Sequence, residues 1–159
     1  MCLLLGATGV GKTLLLKRLQ KLCQRKVPAN LTDLGEPPST LPTVGTNLTD
    51  LTLRKRSLTI RELGGCMGPI WPSYYTDCTT VIYMVDSANI TQISASCVQL
   101  LNVLAAEPLQ TASVLVLFNK RMDDIIACAP QSITTLKLSA RTGEGLEEVL
   151  KWLDSLQPA

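Results

Sequence analysis

Short apolar runs alternate with segments of helical periodicity along the whole chain. Two of these runs, Thr80–Val85 and Ser113–Phe118, are almost entirely apolar, which is typical of inner strands that are covered on both faces. A basic turn at Arg54–Arg56 separates two further segments and predicts a hairpin. The pattern therefore predicts a layered α/β fold with a mostly parallel sheet. The predicted strands are Cys2–Leu5, Asn47–Leu53, Ser57–Leu63, Thr80–Val85, Ser113–Phe118 and Thr135–Leu138.

Three segments repeat apolar residues at intervals of three and four, which predicts amphipathic helices that face a core. Two other segments, Val27–Pro42 with its four prolines and Gly64–Ser73, have no such period and predict irregular loops. The helical positions that we assign to the core are Leu15, Leu19 and Leu22, then Ile93, Cys97, Leu100, Leu101 and Leu104, and finally Leu146, Val149, Leu150 and Leu153.

A chain of 159 residues with 46% apolar content is long enough for one ordinary globular domain and too short for two. We therefore expect a single domain over residues 1–159. Histidine is absent, which excludes Ser-His-Asp and Cys-His catalytic groups and histidine-ligated zinc sites. The six cysteines include no C-x-x-C pair, so we expect reduced thiols rather than a thiolate metal site or a dithiol redox centre.

Charge and targeting signals favour a cytoplasmic protein. Fifteen basic and thirteen acidic residues leave a net charge of +2, which is spread along the chain and indicates no nucleic-acid partner. The first residues show no signal peptide, since they lack a basic segment before a long apolar one. Residue 2 is Cys2 rather than the glycine that myristoylation requires, and the last residues contain no cysteine for prenylation. We expect a monomer without a direct membrane anchor.

One motif carries specific chemistry. The segment Gly6–Thr13 matches G-x-x-x-x-G-K-[ST], follows a predicted strand and opens a predicted helix, as a phosphate-binding loop does. Backbone N–H groups of such a loop point at phosphate oxygens, and the helix N-terminus adds partial positive charge. Lys12 would reach the β- and γ-phosphates, and the Thr13 hydroxyl would bind Mg²⁺. The predicted phosphate-binding residues are Thr8, Gly9, Val10, Gly11, Lys12 and Thr13.

Three downstream positions extend this candidate nucleotide site. Thr43 ends the proline-rich loop and is placed to bring a second hydroxyl to the metal. Glu62 ends the second hairpin strand and would hold the metal through water, while the N–H of Gly65 would contact a γ-phosphate. A phosphate cradle alone is shared by kinases, ATPases and GTPases, so further motifs must separate these classes.

In their order and spacing, the motifs resemble those of the ADP-ribosylation-factor-like (Arf-like) small GTPases. Pro42–Gly45 resembles switch I of that family and Glu62–Gly65 the start of switch II, because Pro-Thr-x-Gly is followed one hairpin later by an acid-x-Gly-Gly. The resemblance implies a P-loop NTPase three-layer fold, with a six-stranded sheet and helices on both faces. It also implies GTP or GDP with Mg²⁺, and protein effectors that bind through residues 27–46 and 62–75. The guanine contacts that it implies come from Asn119, Lys120, Ser139, Ala140 and Arg141.

The chain departs from this family in the residues that hydrolyse GTP and read the base. Cys66 stands where the family has the glutamine that orients the attacking water, and a thiol lacks an amide's paired donor and acceptor. We therefore expect slow or absent intrinsic hydrolysis. Glu62 replaces the family aspartate. Met122 stands where an aspartate would accept from guanine, and the nearest acid is Asp123.

The segment that would hold this aspartate is short. Thirteen residues, 121–133, separate Lys120 from the last predicted strand, although a mean helix alone takes about eleven. We interpret this as a deletion, and we expect weak selectivity for guanine over adenine.

These observations lead to three alternative hypotheses about the function. The leading hypothesis is a GTP-dependent switch in membrane or ciliary trafficking or in signalling, where the process comes from the resemblance alone. A nucleotide-independent interaction module follows if the shortened segment prevents nucleotide binding. A P-loop phosphotransferase would need an arginine-rich lid, and neither Val27–Pro42 nor Arg121–Ile133 contains such a cluster.

Overall fold

The computed structural model describes residues 1–24, 35–54, 56–119 and 133–156. These residues form a six-stranded sheet in the order β2-β3-β1-β4-β5-β6, in which only the β2–β3 pair is antiparallel. The predicted mostly parallel sheet is therefore confirmed. The strands are β1 (Cys2–Gly6), β2 (Thr46–Thr52), β3 (Ser57–Leu63), β4 (Thr80–Asp86), β5 (Ser113–Asn119) and β6 (Ile133–Leu138).

Helices cover both faces of the sheet, as predicted. On one face, α1 (Lys12–Gln24) and α3 (Leu146–Ser155) pack on one set of alternate strand residues. On the other face, α2 (Ile90–Ala105) and a 3₁₀ segment at Gly65–Tyr74 pack on the alternate set. Because successive strand residues point to opposite faces, the fully buried strands β1 and β4 supply both cores.

The segment Gly64–Ser73 is not the irregular loop that its composition predicts. Residues Gly65–Tyr74 form two 3₁₀ turns that contain two prolines and meet at a kink at Met67, and we call this segment the switch II helix. Trp71 explains the difference, because its indole is buried, lies edge-on to Tyr83 and donates a hydrogen bond to the Gly64 carbonyl at 3.1 Å. Tertiary packing of this aromatic side chain holds a helix that no apolar period indicates.

The core prediction holds for α1 and α3 but is wrong in part for α2. Leu101 is 62% exposed, and the buried side chains of this helix are Ser96 and Val103. The buried Tyr83 hydroxyl donates to the Ser96 carbonyl at 3.0 Å, which holds that side of the helix against the sheet. A buried hydroxyl needs such a partner. This hydrogen bond therefore turns toward the sheet a face of α2 that differs from the one predicted from its apolar residues.

Two predicted segments lie partly outside the described residues. The loop Val27–Pro42 is described from Gly35 onward, where it contains neither helix nor strand. The shortened segment at 121–133 is described only at Ile133, which begins β6. Within the described residues, no helix has the length and apolar content needed to cross a bilayer.

Candidate functional site

The loop between β1 and α1 has the backbone geometry of a phosphate cradle. Gly6, Gly9 and Gly11 have φ of 141°, 79° and 100°, values that residues with a Cβ rarely adopt. Thr8 and Gly9 are exposed at the loop tip, whereas the Val10 side chain is buried in the core and anchors the loop. The glycines therefore occupy the positions of the loop at which the backbone has a positive φ.

Lys12 is not the surface charge that a position over phosphates suggests. Its side chain is only 5% exposed, and Nζ donates to the Gly6 carbonyl at 2.7 Å and to the Ala7 carbonyl at 2.9 Å. Burial lowers the pKa of Lys12 to about 8, an effect that the nearby Glu62 carboxylate opposes. The ammonium group therefore lies inside the phosphate loop, in a position to meet anionic oxygens.

Three oxygen-bearing side chains from separate segments meet beside the phosphate loop. The Thr13 hydroxyl at the start of α1 donates to Glu62 Oε1 at 2.6 Å, and the Thr43 hydroxyl donates to the same oxygen at 3.2 Å. The two hydroxyl oxygens are 3.1 Å apart. We call Thr13, Thr43 and Glu62 the oxygen cluster.

The oxygen cluster fits Mg²⁺. An octahedral Mg²⁺ with ligands at about 2.1 Å has adjacent ligand oxygens about 3 Å apart, close to the separation of the two threonine hydroxyls. Glu62 is buried and already bonded to both hydroxyls, which suits a carboxylate that acts through a water ligand. A cleft of about 480 Å³ between α1 and β2 reaches Thr13 and Glu62. Within the described residues, no cluster of three or more His, Cys, Asp or Glu side chains could hold a metal ion.

Switch II is packed against both the phosphate loop and switch I. The Gly64 N–H donates to the Gly45 carbonyl at 3.0 Å. A Cβ at Gly65 would collide with the backbone of Ala7 and Thr8, so only glycine allows this approach. The predicted γ-phosphate contact, the Gly65 N–H, therefore belongs to a backbone that already touches the phosphate loop.

Cys66 is exposed at the start of the switch II helix, and its Sγ lies 3.9 Å from the Thr43 carbonyl oxygen. The thiol thus faces switch I, next to the oxygen cluster.

The predicted base-contacting residues meet where β5 and β6 end. Asn119 is buried, its Nδ2 donates to the Val10 carbonyl at 2.8 Å, and its Oδ1 accepts from the Ala140 N–H at 3.3 Å. Ser139 and the exposed Arg141 lie in the turn after β6, which the Gly143 N–H closes onto the Ser139 carbonyl. Lys120 lies outside the described residues. Asn119 therefore connects the phosphate loop to the turn at residues 139–143, which we call the candidate base loop.

Sequence reasoning missed Arg18. This α1 residue is 2% exposed, and its Nη2 donates to the Gly35 carbonyl at 3.1 Å and to the Arg141 carbonyl at 3.0 Å. It joins the described start of the switch I segment to the candidate base loop. The available signal was an arginine beside Leu15, Leu19 and Leu22, within the apolar stripe of α1.

The chain is similar to known proteins over most of its length. A model of the ADP-ribosylation factor family matches residues 1–138. The chain is 57% identical to human ADP-ribosylation factor-like protein 16, with 100% of this chain and 87% of that protein covered. It is 33% identical to ADP-ribosylation factor-like protein 1 of Drosophila melanogaster, with 96% and 86% covered.

Among solved structures, the Arl6 small GTPase of Trypanosoma brucei, determined with the nucleotide analogue GppNp, superposes with a TM-score of 0.74. The match covers 96% of this chain and 94% of that one at 19% identity, which shows the shared fold. The predicted P-loop GTPase fold is thereby confirmed. The family match and the full-length relatives lead to one conclusion: this chain belongs to the ADP-ribosylation factor family of small GTPases.

Proposed function

We propose that the protein is a GTP-dependent molecular switch, which binds GTP or GDP with Mg²⁺ and presents residues 27–46 and 62–75 to protein effectors in its GTP form. The oxygen cluster carries this proposal. Thr13 belongs to the phosphate loop, Thr43 to switch I and Glu62 to switch II, and their oxygens lie within 3.2 Å of one another. A ligand that engages these oxygens orders both switch segments together.

Each part of the site has a proposed role. The backbone of Thr8–Gly11 and the Lys12 ammonium bind the phosphates, with the Gly65 N–H completing the contacts to a γ-phosphate. Thr13 and Thr43 hold Mg²⁺ directly and Glu62 holds it through water. When bound, this ion neutralises phosphate charge. The proposed guanine contacts come from Asn119, Lys120, Ser139, Ala140 and Arg141.

The proposed hydrolysis rate is slow. Cys66 occupies the place of the water-orienting glutamine, and its thiol supplies no amide to hold the attacking water. The protein therefore stays in its GTP form until a partner supplies the missing catalytic group. By family analogy, we place such a switch in the cytoplasm as a monomer, acting in membrane or ciliary trafficking or in signalling.

Isothermal titration with GTP, GDP, ATP and a non-hydrolysable GTP analogue tests the proposal. We expect binding of the guanine nucleotides that weakens when EDTA removes Mg²⁺, and a Thr43→Ala variant that loses affinity for the GTP analogue but not for GDP. Thr52→Ala, which removes an exposed hydroxyl from β2, is the matched control. Binding of no nucleotide would instead support the interaction-module hypothesis.

The same titration tests the base. Because Met122 replaces the expected aspartate, we expect GTP to be preferred over ATP by a small factor only, since about 1.5–3 kcal/mol of charged hydrogen bonding is missing. A strong preference for GTP would show that another acceptor reads guanine.

A further inference from the structure

We propose that the outward face of the β2–β3 hairpin, centred on Arg61, binds an acidic side chain of a protein partner. This inference rests on the proposed function, because the face lies between the two switch segments. We define the Arg61 face as Met1, Leu48, Asp50, Thr59, Arg61 and Tyr74.

Strand register places these residues on one surface. Leu48 pairs directly with Arg61 and Asp50 with Thr59 across the antiparallel strands, so all four side chains lie on the same side of the sheet. It is the side on which Leu63, two residues beyond Arg61, packs beneath the switch II helix. β2 begins just after switch I, and Tyr74 ends the switch II helix, so both switches border the face.

Arg61 is held ready for a partner. Its guanidinium carbon lies 5.4 Å from the centre of the Tyr74 ring, and Nε points at Met1 Sδ at 3.3 Å. Among the described residues, no carboxylate pairs with this arginine, and the remaining guanidinium N–H groups are open to a ligand on this half-exposed side chain. An aromatic ring under the guanidinium restricts its rotamers, which lowers the entropy lost on binding.

The surroundings specify the partner's chemistry. Leu48 beside Arg61 is 58% exposed and Met1 is 46% exposed, so the cation lies between two apolar contacts. A carboxylate satisfies a planar guanidinium with two parallel hydrogen bonds, and exposed Leu48 fits an apolar neighbour of that acid. The occupant that fits is therefore an Asp or Glu next to an apolar residue in a protein segment.

A protein acid fits this face better than an anionic membrane does. Asp50 lies one residue pair away from Arg61 on the same surface and accepts a hydrogen bond from Thr59. A negative charge there repels the many phosphates of a lipid surface more strongly than it repels one carboxylate bound to Arg61. The net charge of +2 over the chain supplies little further attraction to such a membrane.

A random-peptide display library, selected against the full chain loaded with a non-hydrolysable GTP analogue, tests the proposal. We expect selected peptides to be enriched in Asp or Glu beside an apolar residue. Against Arg61→Glu we expect the acidic preference to be lost and basic residues to replace it. Lys151→Glu makes the same charge change on an exposed position of α3, on the opposite face of the sheet, and should keep the acidic preference.

Synthetic versions of the selected peptides measure how much Arg61 contributes to the binding affinity. We expect Arg61→Gln, which keeps the side-chain length without the charge, to weaken binding about tenfold or more, as expected for an arginine at the centre of an interface. Replacing the peptide's acid by its amide should cost a similar factor on the natural chain and little on Arg61→Gln. Thermal unfolding of both Arg61 variants checks that they remain folded.

The outcomes separate this proposal from the switch function. Acidic peptides that bind the GTP-analogue and GDP forms equally support the Arg61 face and contradict the switch. Peptides specific for the GTP-analogue form but without acidic enrichment overturn the Arg61 face and leave the switch intact. Failure to select any peptide above the Arg61→Glu background overturns it too. Arg61-dependent binding to phosphatidylcholine vesicles containing phosphatidylserine, absent without that lipid, overturns it in favour of a membrane.

Discussion

Lys12 combines two demands that oppose each other. Its ammonium group is buried against two carbonyl oxygens of its own loop, and burial lowers its pKa from 10.5 to about 8. Burial therefore destabilises the protonated amine of Lys12 as long as the loop contains no anion. Negatively charged phosphate oxygens stabilise the protonated amine and so raise its pKa again.

We expect nucleotide binding to take up a proton near pH 8 and to weaken as the pH rises further. The free protein loses the Lys12 proton above its pKa of about 8, whereas the nucleotide complex keeps it, so affinity falls by up to tenfold per pH unit. The free fold shows the opposite trend and gains stability from pH 8 towards 10.5, since the unfolded lysine binds more protons there.

Titration calorimetry in buffers of different ionisation enthalpy measures the proton uptake at Lys12. Lys12→Arg is the control, because arginine stays protonated and should abolish the uptake. An affinity that is constant between pH 7 and 9.5 would contradict the assignment.

Cys66 governs hydrolysis in the proposed switch. The natural chain should hydrolyse bound GTP no faster than about 10⁻⁴ s⁻¹, the range of an unassisted small GTPase. Cys66→Gln should be faster, because an amide can both donate to and accept from the attacking water, whereas Cys66→Ser should not. Single-turnover assays of the three proteins make the comparison. If glutamine has no effect, residue 66 does not reach the water.

Helix α1 does more than bury an apolar stripe. Its first turn carries Lys12 and Thr13, and its second carries Arg18, which bonds to carbonyls of Gly35 and Arg141. These carbonyls belong to segments that are far apart in sequence, so the helix acts as a strut between switch I and the candidate base loop.

Arg18→Met should lower nucleotide affinity by at least about tenfold while the chain remains folded. The methionine keeps apolar volume in the helix but removes, among the described contacts, the charge-assisted hydrogen bonds to the Gly35 and Arg141 carbonyls, each worth about 1.5–3 kcal/mol. Titration with GTP and GDP measures the loss, and Lys151→Met, an exposed change on α3, is the control. Unaltered affinity for both nucleotides would show that the two loops hold their positions without Arg18.

The arrangement of the whole sheet explains why distant segments form one site. β1, β3, β4, β5 and β6 run parallel, so their carboxyl ends share one edge. The phosphate loop follows β1, Glu62 lies at the end of β3 and Asn119 ends β5. Ligands of open α/β sheets bind at this edge. Asn119 connects two of these strand ends through its amide.

Asn119→Ala should destabilise the nucleotide-free protein by about 2–4 kcal/mol, because it leaves the buried Val10 carbonyl and Ala140 N–H without their partner. Urea unfolding measures the change. Asn47→Ala, an exposed asparagine on β2, should be nearly neutral. Unchanged stability in Asn119→Ala together with lost nucleotide affinity would assign Asn119 to base contact alone.

Local sequence was sufficient to predict the strands and two of the helices, and it marked the candidate site residues. Apolar runs and helical stripes report burial directly, and the glycines of the phosphate loop report backbone angles that other residues avoid. The motif Gly6–Thr13 and the later Thr43 and Glu62 are therefore recognisable as candidates from the sequence alone.

Tertiary structure alone determined how these residues meet. The switch II helix depends on the burial of Trp71 against Tyr83, and the rotation of α2 depends on the Tyr83 hydroxyl. Likewise, the roles of Arg18 and Asn119 depend on carbonyl oxygens contributed by segments distant in the chain. These contacts satisfy buried polar groups across large sequence separations, and no local periodicity or propensity encodes which distant partner a buried polar group finds.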